Sequence, residues 1–229
     1  MIGDTPSFIA AAHELKAPLV LIRQLAIALQ ASDVDAQEAL HIIQQIQLTS
    51  ERSLRLTTDL TKYARLEDAL FELEPINPVA LCEDVAYELR PLFAAHGKTI
   101  RAKSRRKPLL MVGNRDLLHR IITNFSDNAL HYTAEDSTVE ISAQQIGKDR
   151  IRVSVRDYGP ALSMKAWRSL QEKLASPQPV HARPQSSGLG IHIASNFAKV
   201  MNGEIGVVRH RDGASFYVEA SVSSQMSLL

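Results

Sequence analysis

An all-α helical hairpin followed by a two-layer α/β sandwich is the fold class this sequence predicts, and three observations carry it. Before residue 70, apolar residues recur at alternating spacings of four and three, the rhythm of helices burying one stripe. The segment Glu72-Leu-Glu-Pro-Ile-Asn-Pro78 then breaks helicity twice, at Pro75 and Pro78. Beyond it, helical and alternating stretches take turns in the order helix, hairpin, helix, hairpin, long connection, helix, hairpin. That order predicts a layered domain with helices on one sheet face. The expected units are 1–74 and 75–229.

The first helix is expected from about Thr5 to Ala31. Phe8, Ala12, Leu15, Leu19, Ile22, Ala26 and Leu29 form its stripe. His13 sits one position off that stripe, on the flank, with Glu14 beside it. Pro18 cannot donate to the helical ladder and should loosen the turn that carries His13. Ser32-Asp33-Val34-Asp35 is the turn, with Asp33 and Asp35 as possible caps. A second helix follows from about Ala36 to Leu70. Its stripe of Ile42, Ile46, Thr49, Ser53, Leu56, Leu60 and Tyr63 includes two polar positions. A hairpin of two such helices has too little core to stand alone, so pairing of two copies into a dimeric four-helix bundle is expected.

Composition narrows the function classes. Of the 229 residues, 45% are hydrophobic and 22% charged, as in an ordinary soluble globular protein. The formal charge of +1 gives no reason to expect bulk nucleic-acid or anionic-membrane binding. A single cysteine, Cys82, rules out an internal disulfide and makes a reducing, cytoplasmic compartment natural. No apolar run reaches membrane-spanning length, and the N-terminus lacks a signal-peptide pattern, so no membrane contact by this segment is expected.

In the second unit, Val79 to about His96 reads as a helix closed by Gly97. Thr99–Ala102 and Leu109–Val112 read as strands of a hairpin around the basic turn Lys103-Ser-Arg-Arg-Lys107, taken as solvated. Asn114 can cap a helix from Arg115 to about Tyr132, with Leu118, Ile121, Ile122, Phe125 and Ala129 inward. Thr138–Gln144 and Arg150–Arg156 read as strands. The second alternates, with Ile151, Val153 and Val155 facing in. A polar connection from Ser163 to Ser187 with a short helix around Trp167 precedes a helix opened by Gly188-Leu189-Gly190. Strands at about Ile205–Arg209 and Ser215–Ala220 close the chain around the turn Arg211-Asp-Gly213.

Three clusters in this unit carry chemistry. Asn124 and Asn128 share one helix face, and amide oxygens suit Mg²⁺ that is mainly held by phosphate and water. Asp157, beside Gly159, can accept a hydrogen bond from a ligand amino group while the glycine lets the ligand approach. Gly188-Leu189-Gly190 at a helix N-terminus exposes backbone N–H groups to an anion. Each alone has a bland alternative: a polar helix face, a turn, a loop. Together they describe a nucleotide pocket.

These stretches resemble the motifs of sensor histidine kinases of two-component signalling, over roughly residues 5 to 222. Ala12-His13-Glu14-Leu15-Lys16-Ala17-Pro18-Leu19 is similar to the family's H-box, and Asn124-Phe-Ser-Asp-Asn128-Ala-Leu-His-Tyr132 to its N-box. Asp157-Tyr-Gly-Pro160 and Ser187-Gly188-Leu189-Gly190-Ile191 are similar to its two glycine boxes. The resemblance implies a dimeric hairpin domain bearing the phosphorylated histidine, joined to an ATP-binding catalytic domain of the type shared with Hsp90, gyrase B and MutL.

It also implies residue roles. His13 would attack the γ-phosphorus of ATP, with Glu14 holding the other ring N–H and fixing the tautomer. Asn128 would be the Mg²⁺ ligand, with Asn124, His131 and Tyr132 at the nucleotide. Asp157 and Gly159 would receive the adenine, and Gly188, Leu189 and Gly190 would wrap the phosphates. A receiver domain of a response regulator would take the phosphoryl group. Four departures stand against the family pattern. His131 replaces a lysine, Ala161 and Ser186 replace glycines, and Ala17 replaces the residue that commonly supports phosphatase activity. Two other readings are an ATP-binding scaffold or phosphotransfer protein without autokinase activity, and an ATPase of the chaperone or repair type.

Overall fold

The computed structural model describes residues 5–30, 35–64, 72–103, 109–134, 136–161, 163–174 and 189–224. The chain divides into two compact units, Met1–Glu67 and Asp68–Leu229.

The first unit is two helices packed together, α1 (Thr5–Leu29) and α2 (Ala36–Ala64). Asp35 caps α2, its Oδ1 accepting from the Gln37 and Glu38 amides, both at 2.8 Å. The other expected cap, Asp33, lies outside the described residues. The helical assignment of α1 continues through Pro18, which offers no N–H to the Glu14 carbonyl. The polar stripe positions of α2 are accommodated within the helix. The Thr49 hydroxyl donates to the Gln45 carbonyl at 2.7 Å, and the Ser53 hydroxyl to the Thr49 carbonyl at 2.8 Å. Among the described residues of this unit, Ile42 alone is buried, while Leu19, Leu40 and Leu54 stay exposed.

The second unit begins with β1 (Glu74–Ile76) and α3 (Pro78–Ala95). Asn77 caps α3 by accepting from the Val79 and Ala80 amides at 3.0 and 3.2 Å, and Pro78 stands where no N–H is needed. Gly97, at φ +64°, lets the chain leave α3, and the Lys98 amide returns to the Phe93 carbonyl at 2.9 Å. Next come β2 (Thr99–Ala102), β3 (Met111–Gly113), α4 (Arg115–Tyr132), β4 (Thr138–Ile146) and β5 (Arg150–Arg156). The chain continues through α5 (Met164–Leu174), α6 (Leu189–Val200), β6 (Glu204–His210) and β7 (Gly213–Ser221). Asn114 caps α4, accepting from the Leu117 amide at 3.1 Å.

The expected hairpin of β2 and β3 does not form. In the five-stranded sheet, ordered β2-β4-β5-β7-β6, β2 pairs with β4 in parallel, and α4 makes the crossover between them. β3 pairs instead with β1, antiparallel, where Pro75 lies opposite Val112. Proline is tolerated in β1 because that strand pairs on one side only among the described strands. Every other pairing in the large sheet is antiparallel.

Alternation decides which face is covered. Val139 and Ile141 of β4, Ile151, Val153 and Val155 of β5, and Val218 and Ala220 of β7 are buried. Against this face pack α3, α4 and α6, through residues such as Leu89, Ile121, Phe125 and Phe197. The expected inner residues of α4 are all buried, joined by Leu117, Thr123, Ser126 and Leu130. Cys82 belongs to this core. Burial, reinforced by the charge of Glu83, pushes its thiol up to about 12, far from reactivity at neutral pH. The helix-free face carries the polar alternates, including Arg101, Glu140, Arg152, Arg156, Tyr217 and Glu219.

Candidate functional site

α4 supplies four of the candidate residues. Asn124, Asn128 and Tyr132 follow one another at helical spacing and are half-buried, while His131 on the last turn is exposed. The Asn124 side chain donates from Nδ2 to the Gly190 carbonyl at 3.4 Å. A methyl group on Gly190 would lie 3.8 Å from Asn124 Cγ, so the amide face of α4 rests directly on the first turn of α6. That turn presents unsatisfied backbone N–H groups and the positive end of the helix dipole. Leu189 opens α6, its side chain outside the described residues, and Gly188 lies outside them altogether.

Asp157 directly follows β5, and the turn it opens meets the C-terminal end of α4. Asp157 is 2% exposed, and its Oδ1 accepts from the Ala214 amide at 2.9 Å. The Asp157 amide in turn donates to the Ala214 carbonyl at 2.9 Å. Such closeness requires glycine at 213. Gly213 has φ +130°, and an added Cβ would strike the Asp157 carbonyl oxygen and lie 2.5 Å from its Oδ1. The turn after Asp157 is pressed onto the C-terminal end of α4. A Cβ on Gly159 would run into the Tyr132 carbonyl oxygen. The Ala134 amide donates to the Tyr158 carbonyl at 2.8 Å, and the Tyr158 amide to Thr133 Oγ1 at 3.3 Å. Gly159 therefore serves packing of the turn on α4 at least as directly as ligand approach.

Behind this turn lies a network that motif reading did not single out. The Tyr158 hydroxyl donates to Glu140 Oε2 at 3.1 Å, and Glu140 also receives Arg101 at 2.6 Å and Lys103 at 2.8 Å. Burial pushes the Glu140 carboxyl up. Hydrogen bonds from Lys103, Arg101 and Tyr158, with the Lys103 charge, outweigh it and hold the group below the usual carboxylate range. The sequence offered only an acid within a strand; its place between Arg101 and Arg156 follows from the sheet register.

Among the described residues, no group of three or more His, Cys, Asp and Glu side chains could hold a metal ion. A divalent cation at this site must arrive with phosphate and water, and the Asn128 amide oxygen is a suitable neutral ligand for it. The residues present therefore fit Mg²⁺ carried by a nucleotide and not a metal caged by protein alone. His13 and Glu14 lie in the first half of α1, with side chains outside the described residues.

Residues 113–224 match the family described as histidine kinase-, DNA gyrase B- and HSP90-like ATPase. The chain carries a histidine kinase ATP-binding domain. Sensor histidine kinase GacS of Pseudomonas protegens is 27% identical over 220 residues, covering 92% of this chain and 24% of that protein. Sensor protein QseC of Escherichia coli strain K12 is 28% identical over 201 residues, covering 86% of this chain and 43% of that one. The chain thus spans less than half the length of these two curated relatives. Among solved structures, full-length ShkA in complex with AMPPNP has a TM-score of 0.64 at 24% identity, over 94% of this chain and 45% of that one. Histidine kinase ThkA in complex with response regulator TrrA has a TM-score of 0.66 at 19% identity, over 96% of this chain and 62% of that one. At these identities the two structures speak for the fold.

Proposed function

We propose that the chain is an ATP-dependent protein-histidine kinase that autophosphorylates on His13 and passes the phosphoryl group to an aspartate of a response-regulator receiver domain. The observation that carries this reading is the meeting of Asn124 with Gly190, which joins the amide face of α4 to the glycine-opened N-terminus of α6 within an ATPase-family domain. Asp157, buried and oriented by Ala214, is the acceptor for the adenine amino group, with Gly159 in the same turn. Asn128, supported by Asn124, His131 and Tyr132, faces the phosphate end, and Gly188, Leu189 and Gly190 wrap the phosphates. Mg²⁺, when bound, neutralises charge on the transferring phosphoryl group, and Asn128 is its protein ligand.

His13 is the nucleophile: a neutral ring nitrogen bonds to the γ-phosphorus of ATP as the bond from that phosphorus to the ADP oxygen breaks and ADP leaves. Glu14 accepts the other ring N–H, so the imidazole gains a counter-charge as it becomes cationic in the transition state. Residues 1–74 form the dimerisation and phosphotransfer domain, two copies pairing as a four-helix bundle. Residues 75–229 form the catalytic domain. The apolar surface left exposed on the single hairpin, Leu19 and Leu40 included, supports the pairing. No described helix is long and apolar enough to cross a membrane. The same proposal sets this segment in the cytoplasm, in contact with neither membrane nor nucleic acid.

Calorimetry with ADP and Mg²⁺ tests the nucleotide part. Binding that loses its magnesium dependence in Asn128→Ala is expected. No binding by the wild-type chain at millimolar ADP would overturn the reading.

A further inference from the structure

We infer that Tyr158 is a positioning residue of the nucleotide site: its hydrogen bond to Glu140 holds in place the turn that presents Asp157. The inference rests on the reading in which Asp157 receives the adenine amino group.

Tyr158 follows Asp157 in the chain, and its side chain reaches the helix-free sheet face, where its hydroxyl meets Glu140 at 3.1 Å. The Arg156 guanidinium covers its ring, 4.4 Å from the centroid. Its carbonyl accepts from Ala134, and its amide donates to Thr133. The residue is thus tied to the end of α4 by its backbone and to β4 by its side chain. Asp157 is tied to the start of β7 through Ala214, and its carbonyl also accepts from the Arg156 guanidinium. The Tyr158 hydroxyl adds a side-chain tie from the same turn to β4.

The acceptor is built for this task. Glu140 is buried, and it is fixed from β2 by Arg101 at 2.6 Å and by Lys103 at 2.8 and 2.9 Å to its two oxygens. Against burial, those cations and the Tyr158 hydroxyl hold its carboxyl below the usual carboxylate range, so it is an ionised acceptor near neutral pH. Replacing Tyr158 with Phe keeps the ring under Arg156 and removes only the hydroxyl. Glu140 retains both cations, so no buried charge is stranded. The turn keeps its backbone ties and loses its lateral anchor.

The experiment is calorimetric titration of the full chain with ADP and with GDP, for wild type, Tyr158→Phe and Asp157→Asn, alongside thermal melting without nucleotide. Tyr158→Phe is expected to weaken ADP binding about three- to tenfold, within the range an ordinary hydrogen bond spans. It should narrow the preference for ADP over GDP and leave the melting midpoint within a few degrees of wild type. Glu140→Ala should weaken ADP binding similarly, and adding Tyr158→Phe to it should bring no further loss, because both remove one bond. Wild-type affinity and selectivity in Tyr158→Phe, with Asp157→Asn impaired, would overturn the positioning role alone. A weakening matched by a large drop in melting midpoint would make Tyr158 merely structural and overturn it too. Wild-type affinity in Asp157→Asn would overturn the adenine reading and this inference together.

Discussion

Asp157 and Ala214 exchange two hydrogen bonds at 2.9 Å, one backbone to backbone and one from the Ala214 amide to the Asp157 carboxylate. The carboxylate proposed to receive the adenine is therefore also a structural acceptor, with one oxygen committed to the fold. Asp157→Ala should cost stability as well as affinity, because it strands the buried Ala214 N–H, at about 1–3 kcal/mol. Asp157→Asn, with its amide oxygen on Ala214, should keep most of the stability and still weaken adenine binding. Melting and ADP titration of both variants separate the two roles. Equal melting losses would contradict the division.

Gly213 makes that approach possible. Gly213→Ala should lower melting temperature and nucleotide affinity together, since its Cβ would displace Asp157 and its φ of +130° strains any other residue. Gly147 is the control. It has φ +63° but nothing within 4 Å of an added Cβ, so Gly147→Ala should cost only about 1 kcal/mol of backbone strain and leave ADP binding unchanged. Chemical denaturation and calorimetry on both variants check this.

The Glu140 cluster predicts a pH signature. The folded-state pKa is depressed, so its stabilising contribution is complete above the ordinary carboxylate value of 4.5 and is lost as pH falls through the folded value. Glu140→Gln should therefore be less stable than wild type near neutrality, with the gap closing as pH falls below 4.5. Urea unfolding from pH 3 to pH 7 measures it. A gap that widens toward acid would mean the carboxylate is destabilised by burial.

In the hairpin, Leu19 is 59% exposed in the single chain although it sits on the apolar stripe. Leu19→Glu, alone or with Leu56→Glu, should convert a dimer to monomers by placing an unpaired charge in the bundle core, at a cost of several kcal/mol. Light scattering at micromolar concentrations reads the mass. A monomeric wild type would contradict the proposed bundle.

What could be read from the residues was what is local. Asn114 as a cap and the 3.6-residue repeat through Ala129 define α4 within the chain segment itself, and its observed bounds are the expected ones. The alternation Ile151, Val153, Val155 likewise declares an inward face. Pro75 reads as a break in helicity, and no helix forms over residues 72–77; the strand β1 around it could not be read, because its partner β3 lies far along the chain. The partner of β2 was missed for a similar reason: nearness in sequence favours a hairpin, whereas the parallel pairing with β4 depends on where α4 packs. At the site, Asn124, Asn128 and Asp157 stood out by type and spacing. The contacts that orient them did not. Asn124 with Gly190, Asp157 with Ala214 and Tyr158 with Glu140 each join different elements and follow only from sheet register and helix docking.

The most direct test is to incubate the chain with γ-labelled ATP and Mg²⁺, resolve the protein, and map any label in wild type, His13→Ala and Glu14→Gln. A phosphoramidate on His13 is expected, lost in acid and retained in base. His13→Ala should be unlabelled but folded, and Glu14→Gln should label more slowly with nearly unchanged ATP affinity, as for an interaction made in the transition state. A wild-type chain that binds ATP yet takes no label, or a His13→Ala variant that keeps the label, would contradict the proposed function.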